Sequence, residues 1–131
     1  VIFAHRGASA HAPENTLAAF ELAIRQGAPA IELDAMLCAS GEVVVIHDDR
    51  LERTTNGRGR VRQAPLSVLG ALDAGSFFDA AFAGERIPML ETVFARLGGR
   101  VVINIELKNS ASPADALPER VAALVQRHNL Q

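Results

Sequence analysis

Trp and Tyr are absent from this 131-residue sequence, and Cys occurs once. The lack of Trp and Tyr counts against an aromatic platform for stacking nucleic-acid bases. The lone Cys38 cannot form an internal disulfide, so nothing in the chain demands an oxidising compartment. Charge of one sign is also missing: 13 Lys and Arg face 15 Asp and Glu, for a formal net charge of −2. With no basic patch interleaved with aromatics, nucleic acid is not an expected partner. No apolar run is long enough to span a bilayer, so no transmembrane segment is expected. No signal peptide is visible, and the expected compartment is the cytoplasm, with the periplasm and the exterior as alternatives. The chain opens on Val1-Ile2-Phe3-Ala4 without an initiator Met, so residues upstream are expected.

What is present is enough for a real core: 49% of the residues are hydrophobic, and the length suits one domain. The most informative stretch is Ile31-Glu32-Leu33-Asp34-Ala35-Met36. A strand has a side-chain period of two, so Glu32 and Asp34 point one way and Ile31, Leu33 and Ala35 the other. Apolar residues continue on both faces, which argues for burial, and buried carboxylates need compensation. A divalent cation supplies it. A second run, Val43-Val44-Val45-Ile46-His47-Asp48, follows the turn-like Ala39-Ser40-Gly41-Glu42. A hairpin about Ser40-Gly41 sets position 34 opposite position 47, placing His47 beside Asp34. The alternative is a parallel crossover, which the short connection disfavours.

In chain order, Val1 to Ala4 reads as a buried strand with His5-Arg6-Gly7 at its C-terminal end. A helix is expected from about Asn15 to Gln26, with Leu17, Phe20 and Ile24 on its apolar face, a Glu21–Arg25 pair outside, and Gly27 as its stop. Asp48 to Gln63 is a polar loop. A short helix is expected to begin at Pro65-Leu66-Ser67 and end near Gly75. Ser76 to Arg86 shows no clean period. Ile87 to Glu91 leads into a helix through Leu97, stopped by Gly98-Gly99. Arg100 to Leu107 is a strand ending on Glu106-Leu107-Lys108. Pro113 to about His128 is a helix with Leu117, Val121, Leu124 and Val125 inward. Strands alternating with helices indicate an α/β fold. In an α/β barrel or open parallel sheet, the C-terminal strand edge carries the site.

That edge collects His5, Arg6, Glu32, Asp34, His47, Glu106 and Lys108. Glu32, Asp34 and Glu106 are hard oxygen ligands that suit Mg²⁺ or Ca²⁺ better than zinc. Arg6 offers a planar fork to phosphate oxygens, and Lys108 a point charge. Imidazoles titrate near neutrality, so His5 and His47 are the candidate catalytic acid and base. The assembly reads as metal-assisted phosphodiester cleavage. Other polar residues have duller roles and stay outside this set. Cys38 is a small apolar filler, His128 faces terminal carbonyls, and His11 lies in a loop. Arg53, Thr54 and Thr55 cap a loop or, as the alternative, line the site. Glu14 and Asn15 orient the site from below, or Asn15 caps the first helix. Asp48 and Asp49 extend the metal shell or cap the excursion.

Seven pieces carry a resemblance when taken in series. They are His5-Arg6-Gly7, Pro13-Glu14-Asn15-Thr16, Glu32-Leu33-Asp34, His47-Asp48 with Leu51 and Arg53-Thr54-Thr55, Gly57 with Gly59, Ile87-Pro88-Met89-Leu90-Glu91, and Ile105-Glu106-Leu107-Lys108. In order and spacing the series resembles the glycerophosphodiester phosphodiesterases. The resemblance implies a TIM barrel, with residues 1–131 covering about its first half and residues 48–86 a small insertion. It implies hydrolysis of a glycerophosphodiester to glycerol 3-phosphate and an alcohol. It implies His5 and His47 as the acid/base pair, Glu32, Asp34 and Glu106 as ligands of one divalent cation, and Arg6 and Lys108 on the phosphate. Sphingomyelinase D and the phosphatidylinositol-specific phospholipases C, similar in barrel and histidine chemistry, are the alternatives within the enzymes. A phosphate- or metal-binding half-barrel without turnover is the alternative outside them. Half a barrel leaves sheet edges open, so the rest of the barrel is expected in the full protein or, failing that, self-association.

Overall fold

The computed structural model describes residues 2–109 and 112–130. Val1, at the start of the first expected strand, lies outside them. Three parallel strands carry the framework. β1 (Phe3–His5) pairs with β2 (Ala30–Leu37), in register from Phe3 opposite Ala30 to His5 opposite Glu32. β4 (Val102–Leu107) pairs along the other edge of β2, from Ala30 opposite Val102 to Ala35 opposite Leu107. This register sets Asp34 directly beside Glu106. Each crossover between parallel strands carries a helix: α1 (Leu17–Arg25) after β1 and α3 (Leu90–Leu97) before β4. α4 (Leu117–Arg127) follows β4. This is the arc of a β/α barrel. No helix among the described residues is long and apolar enough to cross a membrane.

Local chemistry explains the helix ends. The Thr16 hydroxyl caps α1 by accepting the Ala19 N–H at 3.2 Å, one residue beyond the Asn15 alternative. Glu21 does not use Arg25 on the same helix; it accepts from Arg100, which precedes β4, at 3.4 Å. Gly98 ends α3 as expected. Asp115 accepts the Leu117 N–H at the start of α4. At the end of α4, the ring of His128 lies edge-on to Phe94, and its Nε2 is 3.5 Å from Glu91 rather than on the terminal carbonyls.

The two faces of β2 serve different layers. Ile31, Leu33 and Ala35 join Phe20, Leu90, Val93, Phe94, Leu97, Leu117 and Val121 in the main core, on the helix side. Met36, on the face of Glu32 and Asp34, packs instead with Val44, Ile46, Leu51, Val61, Leu69, Ala74 and Ile87. This second cluster joins β2 and β3 (Val43–Val45) to the stretch between β3 and α3. Within it, α2 spans only Leu66–Leu69, closed by Gly70, and so ends short of Gly75. The stretch that shows no sequence period is organised by Asp73. Its carboxylate accepts from the Gly75, Ser76 and Gly84 N–H groups and from the Ser76 hydroxyl. Those bonds, the hydroxyl first, hold its pKa well below the usual carboxylate range.

β3 (Val43–Val45) is antiparallel to β2, as its short connection requires. Its register differs by one from the expected one. Ala35 pairs with Val45 and Leu37 with Val43, and the Ile46 N–H donates to the Asp34 carbonyl at 3.0 Å. Ile46, not His47, therefore stands opposite Asp34. The Cys38 N–H closes the hairpin onto Glu42 and leaves Ala39-Ser40-Gly41 as a three-residue loop. Gly41 has φ +92°, the left-handed position that such loops use. Cys38 is buried as expected, with its thiol against Glu42.

Gly7 turns the chain between β1 and α1. Its φ is +85°, and a Cβ there would lie 2.7–2.9 Å from the backbone and Cβ of Ala19. In the full-length protein, Gly7→Ala is expected to cost about 2–5 kcal/mol, strain and overpacking combined. An unchanged urea midpoint would show that this turn is not seated on α1.

Candidate active site

The strand ends and the loops after them build one polar cluster. At the end of β1 the Arg6 N–H continues the ladder to the Glu32 carbonyl, and the Arg6 carbonyl accepts the Asn15 N–H, both at 2.9 Å. Arg6 (φ 59°) and Asn15 (φ 57°) are both in the left-handed region that non-glycine residues avoid. The strain aims both side chains at Asp34. Asn15 Nδ2 donates to Asp34 Oδ2 at 3.0 Å, and the Asp34 N–H donates back to Asn15 Oδ1 at 3.3 Å. Arg6 Nε lies 3.5 Å from the same carboxylate, and Lys108 Nζ 3.8 Å from its other oxygen.

Asp34 is fully buried and Glu32 nearly so, whereas Glu106 is exposed. Glu32, Asp34 and Glu106 each offer a carboxylate oxygen, and these atoms all lie within 4.8 Å of one another. Ligands on opposite sides of a single Mg²⁺ or Ca²⁺ are separated by about 4–5 Å, so the spacing fits one such ion. The chemistry of the set fits too. Among the described residues, Glu32 Oε1 and Asp34 Oδ1 are buried without a hydrogen-bond partner. A buried carboxylate oxygen without a donor is costly, and a cation satisfies it. Burial, then the negative charge of Asp34, pushes the Glu32 pKa up. Glu106 moves the other way, because Lys108 donates to it at 3.0 Å.

The two candidate histidines flank this cluster. His5 is largely exposed, with Nε2 3.4 Å from Glu32. His47 follows β3, where the chain has left the ladder, and shares the wall of a small cavity with Glu14, Asn15 and Thr54. Its Nδ1 lies 2.7 Å from Asp48 Oδ1. Asp48 also accepts two bonds from Arg53, and with that fork, then the His47 bond, its pKa falls to about 2. An ionised carboxylate only accepts, so Asp48 fixes the proton on His47 Nδ1 and leaves Nε2 free for chemistry.

The structure thus brings His5, Arg6, Glu32, Asp34, His47, Glu106 and Lys108 to one edge. It also adds residues that the sequence reading set aside. Asn15 binds Asp34 instead of capping α1. Glu14 receives Arg6 at 3.2 Å and Arg53 at 2.8 and 2.9 Å. Although Glu14 is partly buried, these guanidinium contacts hold its pKa below the usual value. Thr55 keeps the expected capping role, donating to Leu51 and accepting from Gly57. Asp49 pairs with Arg60, away from the cluster.

These shifts carry signed consequences. The folded state raises the Glu32 pKa, so its contribution to stability is intact below the ordinary value of 4.5 and is lost as pH rises through the folded value. Glu14, Asp48 and Glu106 are depressed, and their contributions are lost as pH falls. In chelator, Glu32→Gln is therefore expected to melt above the wild type at neutral pH, with the gap closing below pH 4.5. A melting temperature below wild type at neutral pH would contradict the uncompensated burial of Glu32.

Comparison with known proteins agrees with this geometry. The model of the glycerophosphoryl diester phosphodiesterase family matches residues 5–129. YhdW of Bacillus subtilis is 51% identical over 95% of this chain and 51% of its own. A glycerophosphodiester phosphodiesterase of Caldanaerobacter subterraneus is 42% identical over 100% of this chain and 54% of its own. An Oleispira antarctica phosphodiesterase, solved in complex with the product sn-glycerol-3-phosphate, superposes with a TM-score of 0.92 at 38% identity, over 96% of this chain and 51% of that one. The chain spans about half the length of the curated relatives it matches. Its parallel strands accordingly make up part of such a barrel. Fold, strand-end cluster and sequence matches all point the same way, and the chain belongs to the glycerophosphoryl diester phosphodiesterase family.

Proposed function

We propose that the full protein hydrolyses glycerophosphodiesters to glycerol 3-phosphate and an alcohol. The observation that carries this reading is the convergence of Glu32, Asp34 and Glu106 within 4.8 Å, with orphaned buried oxygens and His5 3.4 Å from Glu32. The relative solved with sn-glycerol-3-phosphate supports the same product.

In this mechanism Glu32, Asp34 and Glu106 hold one divalent cation, Mg²⁺ or Ca²⁺. When bound, it supplies Lewis-acid polarisation of the phosphate group. The chain's own charges match that need. The three carboxylates against Arg6 and Lys108 leave one net negative charge, and a dication makes the site net positive, suited to a phosphodiester monoanion. Arg6 and Lys108 bind the phosphate oxygens, Arg6 as a fork steadied by Glu14 and Lys108 as a point charge beside Glu106. His5 and His47 move the protons: one takes the proton of the attacking oxygen and the other protonates the leaving alkoxide. His47 acts through Nε2, because Nδ1–H is committed to Asp48.

The test uses full-length protein, with glycerophosphocholine as substrate. Stripping with chelator is expected to abolish release of glycerol 3-phosphate, and added Mg²⁺ or Ca²⁺ to restore it. His5→Ala and His47→Ala are each expected to lower kcat by about 10²–10⁴ with the circular dichroism spectrum unchanged. Cation binding without turnover would leave a binding module in place of an enzyme. Near-full activity in both histidine variants would refute the acid/base assignment.

A further inference from the structure

Arg53 lies in the first loop of the insertion, 39 positions from Glu14 in the loop after β1. It makes more of its donors than an ordinary surface arginine does. Nη1 and Nη2 donate to Glu14 at 2.8 and 2.9 Å. Nε and Nη2 donate to Asp48 at 2.9 and 3.0 Å. One guanidinium is therefore bidentate to two carboxylates. Each carboxylate in turn serves a residue of the proposed chemistry: Asp48 holds His47 Nδ1 at 2.7 Å, and Glu14 holds Arg6 Nη1 at 3.2 Å. Arg6 then reaches Asp34. The line Asp34, Arg6, Glu14, Arg53, Asp48, His47 runs unbroken from the carboxylate cluster to an imidazole. Isolated surface ion pairs are worth little, but bidentate networks of this kind fix geometry.

We propose that Arg53 is a positioning residue for the hydrolysis described above. It pins Asp48 in the rotamer that orients His47, and through Glu14 it locks that histidine to Arg6. The function follows from where its partners sit. Asp48 Oδ1 accepts from both His47 and Arg53, so loss of Arg53 frees the carboxylate to turn and loosens the imidazole. Neither loop has another described side chain bridging Glu14 to Asp48. This assignment rests on the proposed phosphodiesterase reading, and its test separates the two.

In full-length protein, Arg53→Gln is expected to lower kcat about 10- to 100-fold, the usual cost of losing such an outer partner, with KM changed less than about threefold. Arg53→Lys is expected not to restore kcat, since a point charge cannot fork to both carboxylates. Asp48→Asn is expected to be non-additive with Arg53→Gln, because both act through one line. A downfield proton NMR signal of His47 Nδ1–H is expected in wild type and is expected to be lost or exchange-broadened in Arg53→Gln. Glu14→Gln, which leaves the Arg53–Asp48 fork in place, is expected to show a smaller loss and covers the case in which Arg53→Gln does not fold. A raised KM at unchanged kcat would mean that Arg53 touches substrate, and additive losses that it acts apart from Asp48; either overturns the proposal. A wild type without turnover would sink the phosphodiesterase reading instead, while the NMR signal would still report whether Arg53 holds the Asp48–His47 pair.

Discussion

A carboxylate at zero exposure in the middle of a sheet is the constraint on which this structure depends. Asp34 is buried on the inner face of β2, and an uncompensated charge there would cost several kcal/mol. Compensation comes from two separate stretches of chain: Arg6 and Asn15 from the loop after β1, and Lys108 from the end of β4. Each partner in turn requires its own backbone. Arg6 and Asn15 occupy left-handed conformations, and Gly7 packs where no side chain fits. Strain at these positions is sustained because the surrounding bonds over-determine them.

Compensation is deliberately incomplete in one direction. Glu32 and Asp34 each keep a buried oxygen without a donor among the described residues. A purely structural cluster would be expected to satisfy them, since half-satisfied buried networks are worse than apolar ones. The same feature that raises the Glu32 pKa in the free protein prepares the cluster for a cation. Stability and function therefore pull against each other at a single residue of the proposed ligand set.

The stretch after β3 has a similar double character. Its Leu51, Val61 and Leu69 pack on Met36, Val44 and Ile46 and so extend the face that carries the acids. Its polar side delivers His47, Asp48 and Arg53 over the loop after β1. The chain leaves the β2–β3 ladder just before His47, and that departure brings the imidazole to the site. Strand alternation alone would have turned it toward the helix layer with Val43 and Val45.

Local pattern along the chain already separates the layers and places the polar side chains at the strand ends. Period two in Ile31 to Met36 separates core from carboxylates, and helical spacing in α1, α3 and α4 marks the faces that bury. These are local properties that neighbouring residues report. Three things were decided only by tertiary structure. The hairpin register differs by one, because a three-residue loop with a left-handed Gly41 closes it. Asn15 binds Asp34, 19 positions away, because Thr16 takes the helix cap. Arg53 joins Glu14 to Asp48 because the segment after β3 folds back over the loop after β1, and no spacing in the chain encodes which arginine meets which acid. Long-range polar pairs depend on where loops land, and that follows from packing of the whole arc rather than from the pattern of any one segment.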